Sequence, residues 1–272
     1  MQITLNDGRV IPQLGLGLWK TPAEDAADIV VAALQTGYRH LDTAAVYGNE
    51  AGVGQGLAAS GVARADAFVT TKVWNDAQGY DSTLRAARES LARLRLDYVD
   101  LYLVHWPAPR RGLYVETWRA MIALREQGLA KSIGVSNFGA EHLERIIGET
   151  GVTPAINQIE LHPRFQQRPL RAVHARHAIA TQSWAPLGRS QALDDPLIQK
   201  LAAKHRRTPA QIVIRWHLDE GLIAIPKTAR RERLAENFDV FGFALDREDR
   251  DAIAALDRAD GRIGPDPMTA AF

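Results

Sequence analysis

The chain of 272 residues contains no cysteine. That excludes disulfides, thiolate metal sites and thiol nucleophiles, and it fits a reducing cytoplasm. There is no excess of one charge: a formal net charge of +1 at pH 7 gives no field to gather nucleic acid. Long hydrophobic runs are missing too, with nothing near the roughly 20 apolar residues of a membrane span. The opening "MQITLNDGRV" has no basic leader before an apolar core, so no signal peptide is expected. His-x-His, His-Glu-x-x-His and clustered-carboxylate motifs are absent, which gives no reason to expect a metal. No Pro/Gly/Ser-rich linker interrupts the sequence, and residues 1–272 read as one domain.

What is present is alternation. "ITLNDGRVIP" places two β-prone runs around an Asp-Gly turn and predicts a small hairpin. Tyr80, Leu84, Ala87, Leu91 and Leu94 step at helical spacing, and "YVDLYLV" after them has strand length. Thr21-Pro22-Ala23-Glu24 and Thr208-Pro209-Ala210-Gln211 each read as a capping box with proline at the first helical position. Strands are expected to end near Gly17, Asp42, Lys72, His105, Ser136, Gln158, Trp184 and Ile225. Most are about 22 to 33 residues apart, one βα unit each. The last and longest gap holds an extra helix, "DPLIQKLAAKH". Eight such units predict an α/β fold, the (β/α)8 TIM barrel, with an N-terminal β-hairpin and extra helices late in the chain. The competing doubly wound sheet would want Gly-x-Gly-x-x-Gly in its first βα turn. "LGLGLWK" lacks the third glycine, and "GVGQGL" has it one residue early.

Barrels gather function at the C-terminal ends of their strands. Asp42, Lys72 and His105 fall there on three neighbouring strands, and Tyr47 lies on the loop five residues past Asp42. Singly, each has a plain reading: a helix cap, a snorkelling surface lysine, a core histidine, a packing tyrosine. Together they make a proton-transfer set. An ammonium beside a phenol stabilises the phenolate and a carboxylate holds that ammonium. A phenol lowered by two to three units from about 10 is then expected, and a histidine can orient a carbonyl oxygen.

Three longer stretches carry a resemblance. "GYRHLDTAAVYGNE" (37–50), "LAKSIGVSNF" (129–138) and "IPKTARRERLAENF" (225–238) resemble the three signatures of the aldo-keto reductases. "TTKVWN" and "LYLVHWP" match the segments holding the family lysine and histidine. "LNDGRVIPQLGLGLW", "NQIELHP" and "SWAPLG" are similar to the bacterial branch containing the 2,5-diketo-D-gluconate reductases. The likeness spans essentially the whole chain. It implies Tyr47 as general acid for carbonyl reduction, Lys72 as the tuner of its pKa, Asp42 as the holder of Lys72, and His105 as the guide of the carbonyl.

The same resemblance implies NADPH (NADP+) as cofactor. Its nicotinamide ring would lie against Trp184, with the carboxamide on Ser136, Asn137 and Gln158 and with Trp19, Asp42, Leu187 and Gly188 completing that end. Lys227, Thr228 and Arg233 would hold the 2′-phosphate, and Glu236 and Asn237 the adenine. Threonine stands at 228 where the family commonly has serine. Trp19, Trp74 and Trp106, with His105, are read as walls of the substrate pocket. The tail "DRADGRIGPDPMTAAF" has no aromatic except Phe272, which suggests an open pocket.

The expected protein is a cytoplasmic, monomeric, NADPH-dependent carbonyl reductase for small aldehydes, α-dicarbonyls and keto-sugars, with no nucleic-acid or membrane partner. Two other readings stay open: a Schiff-base aldolase through Lys72, and a nicotinamide-binding regulator without turnover.

Overall fold

The computed structural model describes residues 1–270; Phe272, the tail's aromatic, lies outside them. Eight parallel strands follow one another in sheet order: β3 (Leu16–Gly17), β4 (His40–Asp42), β5 (Phe68–Val73), β6 (Val99–Val104), β7 (Ala130–Ser136), β8 (Ile156–Glu160), β9 (Ala180–Trp184) and β10 (Ile223–Ala224). The first and last strands meet through bridges Leu14–Ala224 and Gly17–Lys227, and Gly15 N donates to Ala224 O at 2.9 Å. These links close the sheet into a barrel, as the strand rhythm predicts.

Ahead of it, β1 (Gln2–Thr4) and β2 (Val10–Pro12) form the expected antiparallel hairpin, with Ile3 opposite Ile11. Its turn glycine, Gly8, takes φ +82°, a conformation that favours glycine. Leu5 and Ile11 pack with Phe68, Leu101, Ile156 and Ile223. Phe68, Ile156 and Ile223 open their strands, so the hairpin plugs the end of the barrel opposite the strand C-termini. Asn6 Nδ2 to Pro154 O at 2.9 Å and Arg9 Nε to Lys131 O at 3.0 Å pin it there.

The described helices are α1 (Ala23–Thr36), α2 (Glu50–Ala59), α3 (Tyr80–Leu94), α4 (Tyr114–Glu126), α5 (Ala140–Thr150), α6 (Arg168–Arg176), α7 (Pro196–His205), α8 (Pro209–Asp219), α9 (Arg231–Phe238) and α10 (Arg247–Ala254). Beyond one helix per strand, two late helices are additional: α10, and α7, capped by Asp195, whose side chain accepts from Leu197 N at 3.0 Å. No helix among the described residues is long and apolar enough to cross a membrane.

The two expected capping boxes part company. At α8, Thr208 Oγ1 accepts from Gln211 N at 3.3 Å and Gln211 Oε1 accepts from Thr208 N at 2.9 Å. At α1 the box does not form: the helix starts after Pro22, and Thr21 Oγ1 is buried without a partner among the described residues. Tertiary packing decides the difference, because Thr21 belongs to a loop held from outside, its carbonyl accepting from Asn49 Nδ2 at 3.2 Å. On α3, Ala87, Leu91 and Leu94 are buried as the stripe predicts, while Tyr80, the first helical residue, is exposed.

The glycines of "GVGQG" lie inside α2. A Cβ on Gly54 would sit 2.0 Å from Leu94 O, and one on Gly56 would sit 2.5 Å from Ala27 O. They allow α2 to press against α1 and α3 and cradle no phosphate.

Candidate active site

Asp42 ends β4 and pairs in register with Thr70 of β5. Lys72 is two residues further along β5, so with a strand period of two its side chain shares the face of Thr70. The result is a buried ion pair: Lys72 Nζ lies 2.5 Å from Asp42 Oδ1, with the side chains 0% and 2% exposed. Nζ also donates to Thr43 O at 2.8 Å. Across the barrel, Gln158 Nε2 donates to Asp42 Oδ2 at 2.7 Å. Both oxygens of the carboxylate are thus engaged, which is what keeps a buried charge tolerable.

Tyr47 closes a short 3-10 turn, Ala45–Tyr47, ended by Gly48 at φ 69°. Buried Asn49 anchors this loop: its Oδ1 accepts from Thr43 Oγ1 at 2.6 Å, and its Nδ2 donates to Leu18 O at 2.9 Å. Beside it, the buried Glu50 carboxylate accepts from Thr71 Oγ1 at 2.6 Å and Arg93 Nε at 2.7 Å. The Tyr47 ring consequently stands over the ion pair, with Lys72 Nζ 5.1 Å from its centroid. It also meets the ring of His105 edge-on at 5.6 Å. Trp74 also meets the His105 ring edge-on, at 5.0 Å. Three of the predicted residues are therefore brought onto one spot with Tyr47.

Their protonation differs in part from the expectation. Burial raises the Tyr47 phenol above its ordinary value; the charge of Lys72 and its hydrogen bond pull it down, and Asp42 pushes it up. The predicted depression is thus corrected: Lys72 acts in the expected direction, but desolvation outweighs it. Burial lowers Lys72 as well, yet Asp42 and Tyr47 more than offset this, and the ammonium ends above its usual range. That argues against the Schiff-base reading, which needs a neutral amine. Burial, with Lys72 adding to it, holds His105 well below its ordinary value, so its imidazole is neutral.

The neighbouring strand ends supply a polar shelf. Ser136 Oγ donates to Gln158 O at 2.8 Å. Asn137 adopts φ 63°, a left-handed conformation that asparagine tolerates better than most residues. The turn lets its Nδ2 donate to His105 O at 2.9 Å while its Oδ1 accepts from Trp184 Nε1 at 2.8 Å. The half-buried Trp184 ends β9, and Leu187 and Gly188 follow on the next loop. Trp19 is 43% exposed; Arg189 and Lys20 approach its ring at 5.6 and 4.5 Å, so the loops after β3 and β9 meet. Trp106 is buried, with its carbonyl accepting from Gln78 Nε2 at 2.7 Å.

The third signature follows β10. Lys227, Arg230, Arg231 and Arg233 are all exposed around the start of α9. Thr228 is buried, its Oγ1 accepting from Arg230 N at 3.1 Å. Asn237 is buried, and Glu236 Oε1 accepts from Thr208 Oγ1 at 2.7 Å. Open cations at one end and a half-buried indole beside a polar shelf at the other fit a long phosphorylated nucleotide with a flat heterocycle.

Asn49, Glu50 and Glu160 lie inside the stretches "GYRHLDTAAVYGNE" and "NQIELHP", but their supporting roles are not predicted from them, because partners such as Leu18, Arg93 and Gly264 are distant in sequence.

The profile of the Aldo/keto reductase family matches residues 13–258. An aldo-keto reductase of Mycolicibacterium smegmatis is 55% identical over 271 residues, covering 100% of this chain and 98% of that protein. Methylglyoxal reductase DkgA of Escherichia coli K12 is 53% identical over 267 residues, 97% of this chain and 96% of that one. Among solved structures, a mutant of Gox0644 in complex with NADPH superimposes with a TM-score of 0.97 at 57% identity, covering 100% and 99% of the two chains. The chain belongs to the aldo-keto reductase family and is an oxidoreductase.

Proposed function

We propose that the protein reduces small carbonyl compounds, α-dicarbonyls such as methylglyoxal foremost, to alcohols with NADPH, using Tyr47 as proton donor. The observation that carries this is the buried Asp42–Lys72 pair set beneath the Tyr47 ring, with neutral His105 against the ring's edge. The names of the DkgA relatives and the NADPH complex of Gox0644 support the substrate class and cofactor.

NADPH, when bound, supplies the hydride. Tyr47 carries the proton destined for the carbonyl oxygen, and its raised pKa keeps it protonated at neutral pH. As the proton leaves, Lys72 stabilises the phenolate, and Asp42, fixed by Gln158, keeps Lys72 in place. Neutral His105 donates a hydrogen bond that orients the carbonyl oxygen without competing as the acid. Trp19, Trp74 and Trp106 wall the substrate. Ser136, Asn137, Gln158 and Trp184 hold the nicotinamide, beside Leu187 and Gly188. Lys227, Thr228 and Arg233 take the 2′-phosphate, and Glu236 and Asn237 the adenine. The protein works as a cytoplasmic monomer.

The test is NADPH consumption with methylglyoxal, diacetyl, an aromatic aldehyde, 2,5-diketogluconate and a steroid ketone. Turnover led by the small dicarbonyls is expected. A profile led by the steroid, or no turnover with any of them, would refute the reading.

A further inference from the structure

Glu160 ends β8 and is 1% exposed. A carboxylate at that depth is costly unless hydrogen bonds replace its water. Its Oε1 accepts from Ile263 N at 2.6 Å and lies 3.2 Å from His162 Nε2; its Oε2 accepts from Gly264 N at 2.8 Å. Two of these partners are consecutive backbone amides of the C-terminal segment, about a hundred residues away. Amide-to-carboxylate bonds are among the stronger hydrogen bonds.

Glu160 is also the direct register partner of Trp184 on β9, so the two side chains stand next to each other at the rim of the barrel. The bound segment therefore lands on the indole. A Cβ on Gly264 would lie 2.5 Å from Trp184 Cη2 and 2.8 Å from Glu160 Oε2, closer than real Cβ contacts. Residue 264 is a glycine for want of space. Other anchors hold the chain just before it: Arg258 N donates to Arg164 O at 3.1 Å, and Arg262 stacks over Phe165 at 4.7 Å.

The geometry points to Glu160 as a positioning residue: it ties the C-terminal segment across the mouth so that the bare backbone of Gly264 backs Trp184 and fixes the plane of its indole. The inference rests on Trp184 being the nicotinamide platform of the function proposed above. The tail acts on the mouth through its main chain, so the want of an aromatic before Phe272 does not leave it without a role there.

The test combines NADPH titration of Gly264→Ala, Trp184→Phe and their double variant with amide hydrogen exchange of Glu160→Gln. Gly264→Ala should weaken NADPH at least fivefold when Trp184 is present. The loss should shrink at least threefold in the Trp184→Phe background, whose smaller ring removes the closer clash and leaves only the one with Glu160 Oε2. Glu160→Gln, which can accept fewer amides, should speed exchange at residues 263–264 at least tenfold. If Glu160→Gln does not fold, Glu160→Asp, too short to reach both amides, replaces it in the exchange experiment. Wild-type affinity in Gly264→Ala, a loss equally large without the indole, or unchanged exchange in a folded Glu160 variant would each overturn the inference. Failure of the wild-type protein to bind NADPH would instead sink the functional reading, with the exchange experiment still judging the clasp.

Discussion

At the scale of single residues, the site shows how one buried ion pair governs two neighbours. Lys72 is kept charged by Asp42, and that charge opposes protonation of His105 and eases ionisation of Tyr47. The sequence carried the identity of these residues because Asp42, Lys72 and His105 fall at or beside strand ends one βα unit apart. It did not carry the balance of their energies. Desolvation depends on what the rest of the fold places around the phenol, and the expected depression assumed the lysine would prevail. The supports around the group escaped notice for a similar reason. Asn49 binds the carbonyls of Leu18 and Thr21, residues with which it shares no local pattern.

At the scale of elements, the segment from Lys227 into α9 gathers four exposed cations, Lys227, Arg230, Arg231 and Arg233, in a chain with almost no net charge. No ion pair with a carboxylate involves Lys227 or Arg233 among the described residues. Arg233→Ala should raise the dissociation constant for NADPH about tenfold or more, the cost of a charge-assisted hydrogen bond, and leave that for NADH nearly unchanged. Equal losses in parallel titrations would remove Arg233 from the phosphate site. Elements as such were largely legible. The eight strands lie where the rhythm put them, and the additional helix α7 fills the longest gap. The exception is instructive: Thr21 and Thr208 open similar sequences, but only Thr208 caps its helix. A capping box is a local competition, and at Thr21 the long-range hold on the loop wins it.

At the scale of the whole molecule, the barrel buries several histidines that burial keeps neutral. Desolvation holds His40 and His174 down to about 4 and His217 to about 3, and His105 is lowered as well. In the unfolded chain these groups titrate near 6.5. Above that pH they are neutral in both states and favour neither. As pH falls from about 6.5 towards 4, the unfolded chain binds protons that the folded one refuses, so stability drops. Each such histidine contributes up to about 1.4 kcal/mol per pH unit. Urea unfolding should show several kcal/mol less stability at pH 5 than at pH 7; equal or greater stability at pH 5 would contradict the burial of neutral imidazoles. Closure of the barrel also brings the far end of the chain to the mouth, a relation no stretch of sequence displays. The same closure sets Tyr47 over the Asp42–Lys72 pair as the proposed proton donor, and Tyr47→Phe checks that role. With methylglyoxal, the variant should bind NADPH within about threefold of wild type yet lose turnover by about 10²–10⁴-fold, the range of a general acid. A variant that keeps most of its rate would show that the proton comes from elsewhere.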